Sequence, residues 1–207
     1  MKKSEPLQEG LFYHIYNKGI NGCSLFTNES DYYKFIELYK IYIDPIAQTY
    51  AWCLLNNHFH LLIRIKENIV YRYNCHECVN NKIKKWNTVS AIDNKNGKRP
   101  VFSGHLSHFF NAYSSYFNKK HDRTGTLFQR PFKRKHVDTP QYCARLILYI
   151  HNNPVRHKFS DYPQEYKWTS YHSIIENYNK NDLLNDWFGD LNNFIDKHKI
   201  ALKQDAL

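Results

Sequence analysis

The sequence predicts an α+β fold in which short strands and amphipathic helices share one domain. Three observations lead to this prediction. Residues 58–65 alternate between apolar and polar side chains, as in a strand with one buried face. Two asparagines, which tolerate the positive φ of a tight turn, separate this run from residues 49–55, so the two runs are expected to form a hairpin. Apolar residues also recur at helical spacing over 106–118 and 140–153.

The first third of the chain supplies the other early elements. Residues 11–17 alternate and are predicted to form a strand that breaks at Lys18-Gly19. A helix is predicted over residues 31–42, because an apolar stripe there follows a capping residue, Asn28 or Ser30, and stops before a proline.

Between residue 66 and about residue 105 the periodic pattern is replaced by Asn, Lys and Gly, which predicts an insertion or a mobile basic arm. This segment contains Cys75-His76-Glu77-Cys78, half of a zinc site. No second cysteine pair or suitably spaced histidine pair stands near it, so a structural zinc is not favoured. The five cysteines of the chain are scattered and odd in number, which indicates reduced thiols.

The second half begins with the helix predicted over 106–118. A basic segment interleaved with phenylalanines follows, residues 119–136, and suits either a strand that tracks a phosphate backbone or a solvated basic hairpin. Thr139-Pro140 then starts a helix that Pro154 is expected to end. Beyond it, apolar residues at helical spacing predict a C-terminal extension, residues 173–207, that packs onto the body.

Composition narrows the function classes. The 207 residues carry 29 Lys and Arg against 19 Asp and Glu, a formal charge of +10, together with 17 Tyr and 13 Phe. Cations can neutralise phosphates and rings can stack on unpaired bases, so the composition is consistent with a nucleic-acid-binding protein. It fits an ordinary basic protein with aromatic core residues equally well. No apolar run is long enough to span a membrane and the N-terminus lacks the apolar core of a signal peptide, so we expect a cytoplasmic protein without a membrane partner.

Two small polar patterns point to chemistry. His58 and His60 lie two residues apart on a predicted strand, so both imidazoles point the same way and could ligate one cation. Taken alone, such a pair is more often an inert surface feature. On the helix after Thr139, one face carries Tyr142, Arg145, Tyr149 and Asn153, which places a phenol and a carboxamide one turn apart.

Four segments, in this order along the chain, resemble the single-tyrosine HUH transposases, and more narrowly the REP-associated tyrosine transposases. They are Tyr13-His14-Ile15-Tyr16-Asn17-Lys18-Gly19, Asn57-His58-Phe59-His60-Leu61-Leu62, residues 123–133 (RTGTLFQRPFK) and residues 149–157 (YIHNNPVRH). The resemblance covers residues 11 to 172 and implies an antiparallel, ferredoxin-like or RRM-like sheet flanked by helices. It places a transposase domain at residues 1–172, with the nucleophile-bearing helix packed on the sheet.

The resemblance also implies a mechanism. His58 and His60 would be metal ligands, Tyr149 would be the nucleophile, and Asn153 would stand where the family often has a glutamine as third ligand. The enzyme would cleave and rejoin single-stranded DNA beside a hairpin through a 5′-phosphotyrosine. The expected cofactor is a divalent ion, Mn²⁺ or Mg²⁺, of which Mn²⁺ suits the nitrogen ligands better.

Candidate DNA contacts follow from charge, aromatic character and position along the chain. They are Lys18, Arg123, Phe128, Arg130, Phe132, Lys133, Arg134 and Lys135. The family includes monomers and homodimers, and the sequence leaves both open. Two other functions compete with the transposase: a metal-dependent nuclease in which water attacks, and a nucleic-acid-binding module without catalysis.

Overall fold

The computed structural model describes residues 6–72, 87–92 and 97–205. The strands in these ranges are β1 (Phe12–Lys18), β2 (Ala47–Leu55), β3 (His58–Ile65), β4 (Ile69–Arg72), β5 (Asn87–Ser90) and β6 (Lys133–Val137). The α-helices are α1 (Glu29–Tyr42), α2 (Phe102–Lys120), α3 (Pro140–Arg156), α4 (Tyr171–Glu176), α5 (Asp182–Phe188) and α6 (Leu191–Asp205). None of the helices in these ranges combines the length and apolar character needed to cross a bilayer.

A four-stranded antiparallel sheet with the order β2-β3-β1-β6 forms the centre of the fold. β2 and β3 form the predicted hairpin, with Leu55 paired to His58 across the asparagine turn. β1 joins the free edge of β3, and β6 then pairs with β1. The α+β class, with an antiparallel sheet flanked by helices, is therefore confirmed.

One face of the sheet packs against α1 and α2. Ile15 and Phe59 point to this side and share a buried cluster with Phe35, Phe109 and Tyr113. Because neighbouring residues of a strand point to opposite faces, a slip of one residue would send these apolar side chains to the wrong side. The large aromatic core therefore holds the strands, and the histidines between its members, in one register.

The other face of the sheet packs against α3. Leu62 and Ile147 lie in the cluster between sheet and helix, and Trp187, Phe188 and Phe194 from α5 and α6 belong to the same cluster. The segment predicted as a C-terminal extension thus covers α3 and completes its core. The boundary at residue 172 remains a prediction about domains.

Two predicted elements differ from the structure. α3 continues past Pro154 to Arg156, so the expectation that Pro154 ends the helix was wrong. A proline removes one backbone hydrogen bond, and one turn from a helix end this loss is small enough for the helix to persist. Within the predicted insertion, β4 and β5 form a separate two-stranded sheet, and Cys75-His76-Glu77-Cys78 lies outside the described residues.

Candidate active site

Three neighbouring strands build the polar side of the sheet beneath α3. Residues directly opposite each other in an antiparallel ladder point to the same face. Tyr16 of β1 is paired with His60 of β3 on one side and with Lys133 of β6 on the other. His14 and Lys135, also paired, extend the row by one step. Imidazole, phenol and ammonium groups from distant parts of the sequence therefore meet on one surface.

Tyr149 projects from α3 onto this row. Its ring centroid lies 5.4 Å from that of His60 at an interplanar angle of 84°, and 6.3 Å from that of His14. The buried side of α3, including Ile147, faces the core, and the helical period leaves Tyr149 at the edge toward the histidines. The Arg156 guanidinium stands 4.9 Å from the centre of the tyrosine ring. The tyrosine and the histidine pair that the sequence singled out are thus neighbours.

His58 has one nitrogen available to a ligand. Its Nδ1 lies 2.7 Å from Oδ1 of Asn57, whose Nδ2 donates to the carbonyl oxygen of Gly22. An amide oxygen only accepts hydrogen bonds, so Nδ1 of His58 carries the proton and Nε2 keeps its lone pair. Burial, followed by the charges of His157 and Lys18, lowers the pKa of His58 to about 4, so the ring is neutral near pH 7.

His60 is oriented by a second imidazole. Its Nδ1 lies 2.9 Å from Nε2 of His14, and the two rings are stacked. Burial is the main cause that lowers the pKa of His60 to about 2 and that of His14 to about 4. Two neutral rings bonded in this way share a single proton. When Nδ1 of His60 donates it, Nε2 is left as an acceptor, as in histidines that bind metals.

Asn153 is buried one turn beyond Tyr149, and its Nδ2 donates to the Tyr149 carbonyl oxygen at 2.9 Å. This bond turns the amide nitrogen toward the helix and leaves the amide oxygen for another partner. Within the described ranges, no three His, Cys, Asp or Glu side chains are grouped to hold a metal ion. A metal on His58 and His60 would therefore need a ligand of another type, and a carboxamide oxygen is one.

Two clefts flank the histidines. One, of about 570 Å³, is lined by His14, Tyr16, His60, Lys135, Tyr142, Arg145, Leu146 and Tyr149. The other, of about 220 Å³, is lined by Tyr16, Asn17, Lys18, His58, His60, Gln129, Lys133 and His157. These residues include four cations and no carboxylate, so the electrostatic potential of both clefts favours a phosphate-bearing ligand.

Six of the eight candidate DNA contacts fall into two groups. Lys18, Lys133 and Lys135 are exposed and line the clefts beside the histidines. Arg134 alternates with them on β6, so its side chain lies on the opposite face of the sheet, over the ring of Phe132. Arg130 and Phe132 line a third cavity on that side.

The other two candidates, Phe128 and Arg123, make contacts within the protein itself. Phe128 is only 5% exposed, packs on Phe59 and Phe110, and lines the third cavity beside Phe132, so its stacking on an unpaired base stays a prediction. Arg123 is half-buried, donates to Asn118 and covers the ring of Phe117, which braces the turn after α2. It lines neither cleft.

Solved structures resemble this fold. A REP-associated tyrosine transposase bound to a REP hairpin matches 85% of this chain with 86% of its own, at a TM-score of 0.58 and 12% sequence identity. The chain has the fold of that transposase. Two structures of a bacterial tRNA(His) guanylyltransferase-like protein, bound to GTP and to ATP, align at TM-scores of 0.39 and 0.42. Their sequence identity is 12% over 70% and 74% of this chain, and over 62% and 60% of their own. No protein family matches the sequence, and no characterised protein matches it by sequence.

On this transposase fold, sequence reasoning missed several residues beside Tyr149. His14 and Tyr16 belong to a predicted strand and to the first resembling segment, and their alternation with Tyr13 and Ile15 already places them on one face, yet neither is a predicted site residue. What was lacking was the pairing of β1 with β3, which no local pattern reveals. His157 lies two turns after Tyr149, and its ring centroid is 4.8 Å from that of His58. Because the helix was expected to end at Pro154, the available signal was the place of His157 in the segment 149–157 that resembles the transposases.

Proposed function

We propose that this protein is a DNA strand transferase that cleaves and rejoins single-stranded DNA, with Tyr149 as nucleophile and a divalent metal ion at His58 and His60. The observation that supports it most is the position of Tyr149, whose ring meets that of His60 at 5.4 Å across the cleft between α3 and the sheet. The proposed nucleophile, the Tyr149 phenol, thus lies beside neutral imidazoles whose free nitrogens are candidate metal ligands.

The reaction would proceed by exchange of one ester for another. The Tyr149 phenol gives up its proton to solvent, its oxygen bonds to the phosphorus, and the bond from phosphorus to the 3′ oxygen breaks. The 3′ oxygen leaves as a hydroxyl after it takes up a proton, and the 5′ end stays on the tyrosine. Because the ester energy is retained in the phosphotyrosine, attack by a 3′ hydroxyl reverses the step without ATP.

His58, His60 and the Asn153 amide oxygen would hold the metal. A bound divalent ion would supply charge to a non-bridging phosphate oxygen, which makes the phosphorus easier to attack. Nitrogen ligands favour Mn²⁺ over Mg²⁺, and cellular abundance can still make Mg²⁺ the working ion. His14 and Asn57 orient the two imidazoles from behind.

The chain's cations would bind and align the strand. Lys18 and Lys133 stand on one side of the histidines and Lys135 on the other, with Arg145 in the same cleft as Tyr149. The transposase with this fold was solved with a REP hairpin. Hairpin DNA with a single-stranded flank is therefore the substrate class that we propose here.

The test is a covalent adduct. The protein is incubated with Mn²⁺ and end-labelled hairpin DNA with single-stranded flanks, and the products are separated on a denaturing gel. We expect a protein–DNA band that requires the metal and is lost in Tyr149→Phe, because phenylalanine has no nucleophilic oxygen.

Tyr142→Phe is the matched control, since this tyrosine lies on α3 and lines the same cleft. It should keep the adduct. Cleavage without an adduct, equal in wild type and Tyr149→Phe, would instead identify a hydrolytic nuclease. DNA binding without either product would identify a binding module and refute the proposal.

A further inference from the structure

A third cavity lies where the end of β1, the loop before β6 and α2 meet. Its volume is about 620 Å³, within the range of small-ligand pockets. Asn17 and Gln129 line both this cavity and the cleft that contains His58 and His60. The cavity therefore lies next to the cleft at the histidines, with Asn17 and Gln129 between the two spaces.

The walls combine aromatic and carboxamide groups. The half-buried ring of Phe132 packs at 5.4 Å from Phe110, which is 7% exposed. The side-chain amides of Gln129 and Asn111 line the same space, and no residue in the described part of the chain forms a hydrogen bond with either. Arg130, at the rim, is exposed and likewise makes no hydrogen bond or ion pair within those ranges.

This chemistry matches a nucleobase with its phosphate. Bases stack on aromatic rings, and Asn or Gln side chains pair with the donor and acceptor atoms of a base edge. An arginine at the rim suits the phosphate of the same nucleotide. A purely apolar ligand would leave the half-buried amide of Gln129 unsatisfied, and a sugar without a base would leave Phe132 without a stacking partner.

We propose that this cavity, lined by Phe110, Asn111, Gln129, Arg130 and Phe132, binds one unpaired nucleobase of the DNA strand that enters the candidate active site. The inference rests on the proposed function, because it requires a single strand at the histidines. Through this pocket the protein would select the base at one fixed position from the cleaved phosphate.

The test combines an abasic scan with substitutions in the pocket. A stem–loop DNA with a single-stranded tail fixes the register, and an abasic nucleotide is placed at each tail position in turn. Dissociation constants are measured for wild type and for Phe132→Ala. In the wild type, one position should lose about tenfold in affinity, because stacking of a base on an aromatic ring contributes that much. In Phe132→Ala, an abasic nucleotide at that position should leave the dissociation constant unchanged relative to the intact DNA.

A second substitution tests the pocket independently, in case Phe132→Ala misfolds. Gln129→Ala removes an amide that has no hydrogen bond in the described structure and leaves the Phe132 ring in place, so it should reduce the sensitivity at the same position without abolishing it. Gln48→Ala, an exposed glutamine on the distant edge strand β2, and Phe159→Ala, an exposed aromatic outside all three cavities, are the matched controls. Both should keep the wild-type scan.

The outcomes separate the two proposals. If the Tyr149 adduct forms but no tail position responds differently in Phe132→Ala and Gln129→Ala, the base pocket is refuted and the transferase stands. A tail position that couples to both variants without any adduct would support the pocket in a binding module and refute the transferase. DNA that does not bind at all would refute both.

Discussion

At the scale of single residues, each histidine of the pair has a hydrogen-bond partner at its Nδ1. Asn57 fixes His58, and His14 bonds to His60 at 2.9 Å. Partners of this kind orient a metal ligand and raise its basicity. The two bonds differ in origin, since Asn57 is the sequence neighbour of His58, whereas His14 comes from another strand.

We predict that His14→Ala weakens metal binding by roughly 10- to 100-fold, the effect of losing a hydrogen-bond partner behind a ligating histidine. Without His14, the His60 ring can rotate and its protonated nitrogen is no longer assigned. The measurement is Mn²⁺ affinity by calorimetry or electron paramagnetic resonance in the absence of DNA. His14→Asn, which offers an amide oxygen to Nδ1, should recover part of the affinity.

His136→Ala is the control for that experiment. His136 lies on β6 next to Lys135 and therefore on the opposite face of the sheet, where it packs against Tyr13. Its loss should leave Mn²⁺ affinity unchanged. Equal weakening in both variants would show a general effect on the sheet and contradict the assigned role of His14.

At the scale of elements, a buried hydrogen-bond chain connects α6 to the helix that carries Tyr149. His198 donates from Nδ1 to the Phe194 carbonyl oxygen at 2.7 Å, so its Nε2 accepts from Nδ1 of His151 at 2.9 Å. Nε2 of His151 then accepts from the Ser170 hydroxyl at 2.8 Å. The Ser170 oxygen in turn accepts from the backbone of Trp52 in β2 at 2.9 Å. Every proton in this chain has one position.

We predict that His198→Ala lowers the free energy of unfolding by about 2–4 kcal/mol, since it leaves a buried N–H of His151 unpaired and a void among aromatic rings. Chemical denaturation monitored by tryptophan fluorescence measures the change. Lys199→Ala, at the adjacent exposed position with only a surface pair to Asp196, should change stability by less than about 0.5 kcal/mol. A similar loss in both variants would contradict the role given to the buried chain.

Local sequence patterns predicted most elements but not how they meet. Alternation located β1 and β3, and the asparagine pair located the turn of the hairpin, because these signals act within a few residues. The pairing of β6 with β1 brought Lys133 and Lys135 to the histidines and took Arg134 away. Such pairing depends on contacts between residues more than a hundred positions apart. The distribution of charge along the sequence does not reveal these contacts.

Burial explains the other differences. The basic residues around Phe128 predict a ring at the protein surface, whereas the tertiary structure places that ring in the aromatic core. The expectation for Pro154 failed because propensity rules describe an isolated helix, whereas α3 is held by its packing on the sheet and on α6. The contact of His60 with Tyr149, by contrast, joins two residues that only the motif spacing and the family resemblance together singled out.

At the scale of the whole molecule, histidines are buried on both sides of α3. His14 and His60 are buried and His58 is half-buried toward the sheet, and His151 and His198 are buried toward α6. Burial is the first cause that lowers the pKa of each, to about 4 for His198 and well below the usual value for His151. The folded protein therefore holds these rings neutral, whereas in the unfolded chain they titrate at ordinary values near 6.5.

This arrangement predicts a fold that loses stability in mild acid. Above about pH 6.5 the rings are neutral in both states and contribute no pH dependence. As the pH falls from about 6.5 toward about 4, the unfolded chain binds protons that the folded protein does not, so the free energy of unfolding decreases by up to about 1.4 kcal/mol per pH unit for each buried histidine. Urea denaturation between about pH 7 and about pH 5 measures the slope. His198→Ala should make it shallower, whereas replacement of the exposed His172 should not; a slope of zero in the wild type would contradict the neutral state of these rings.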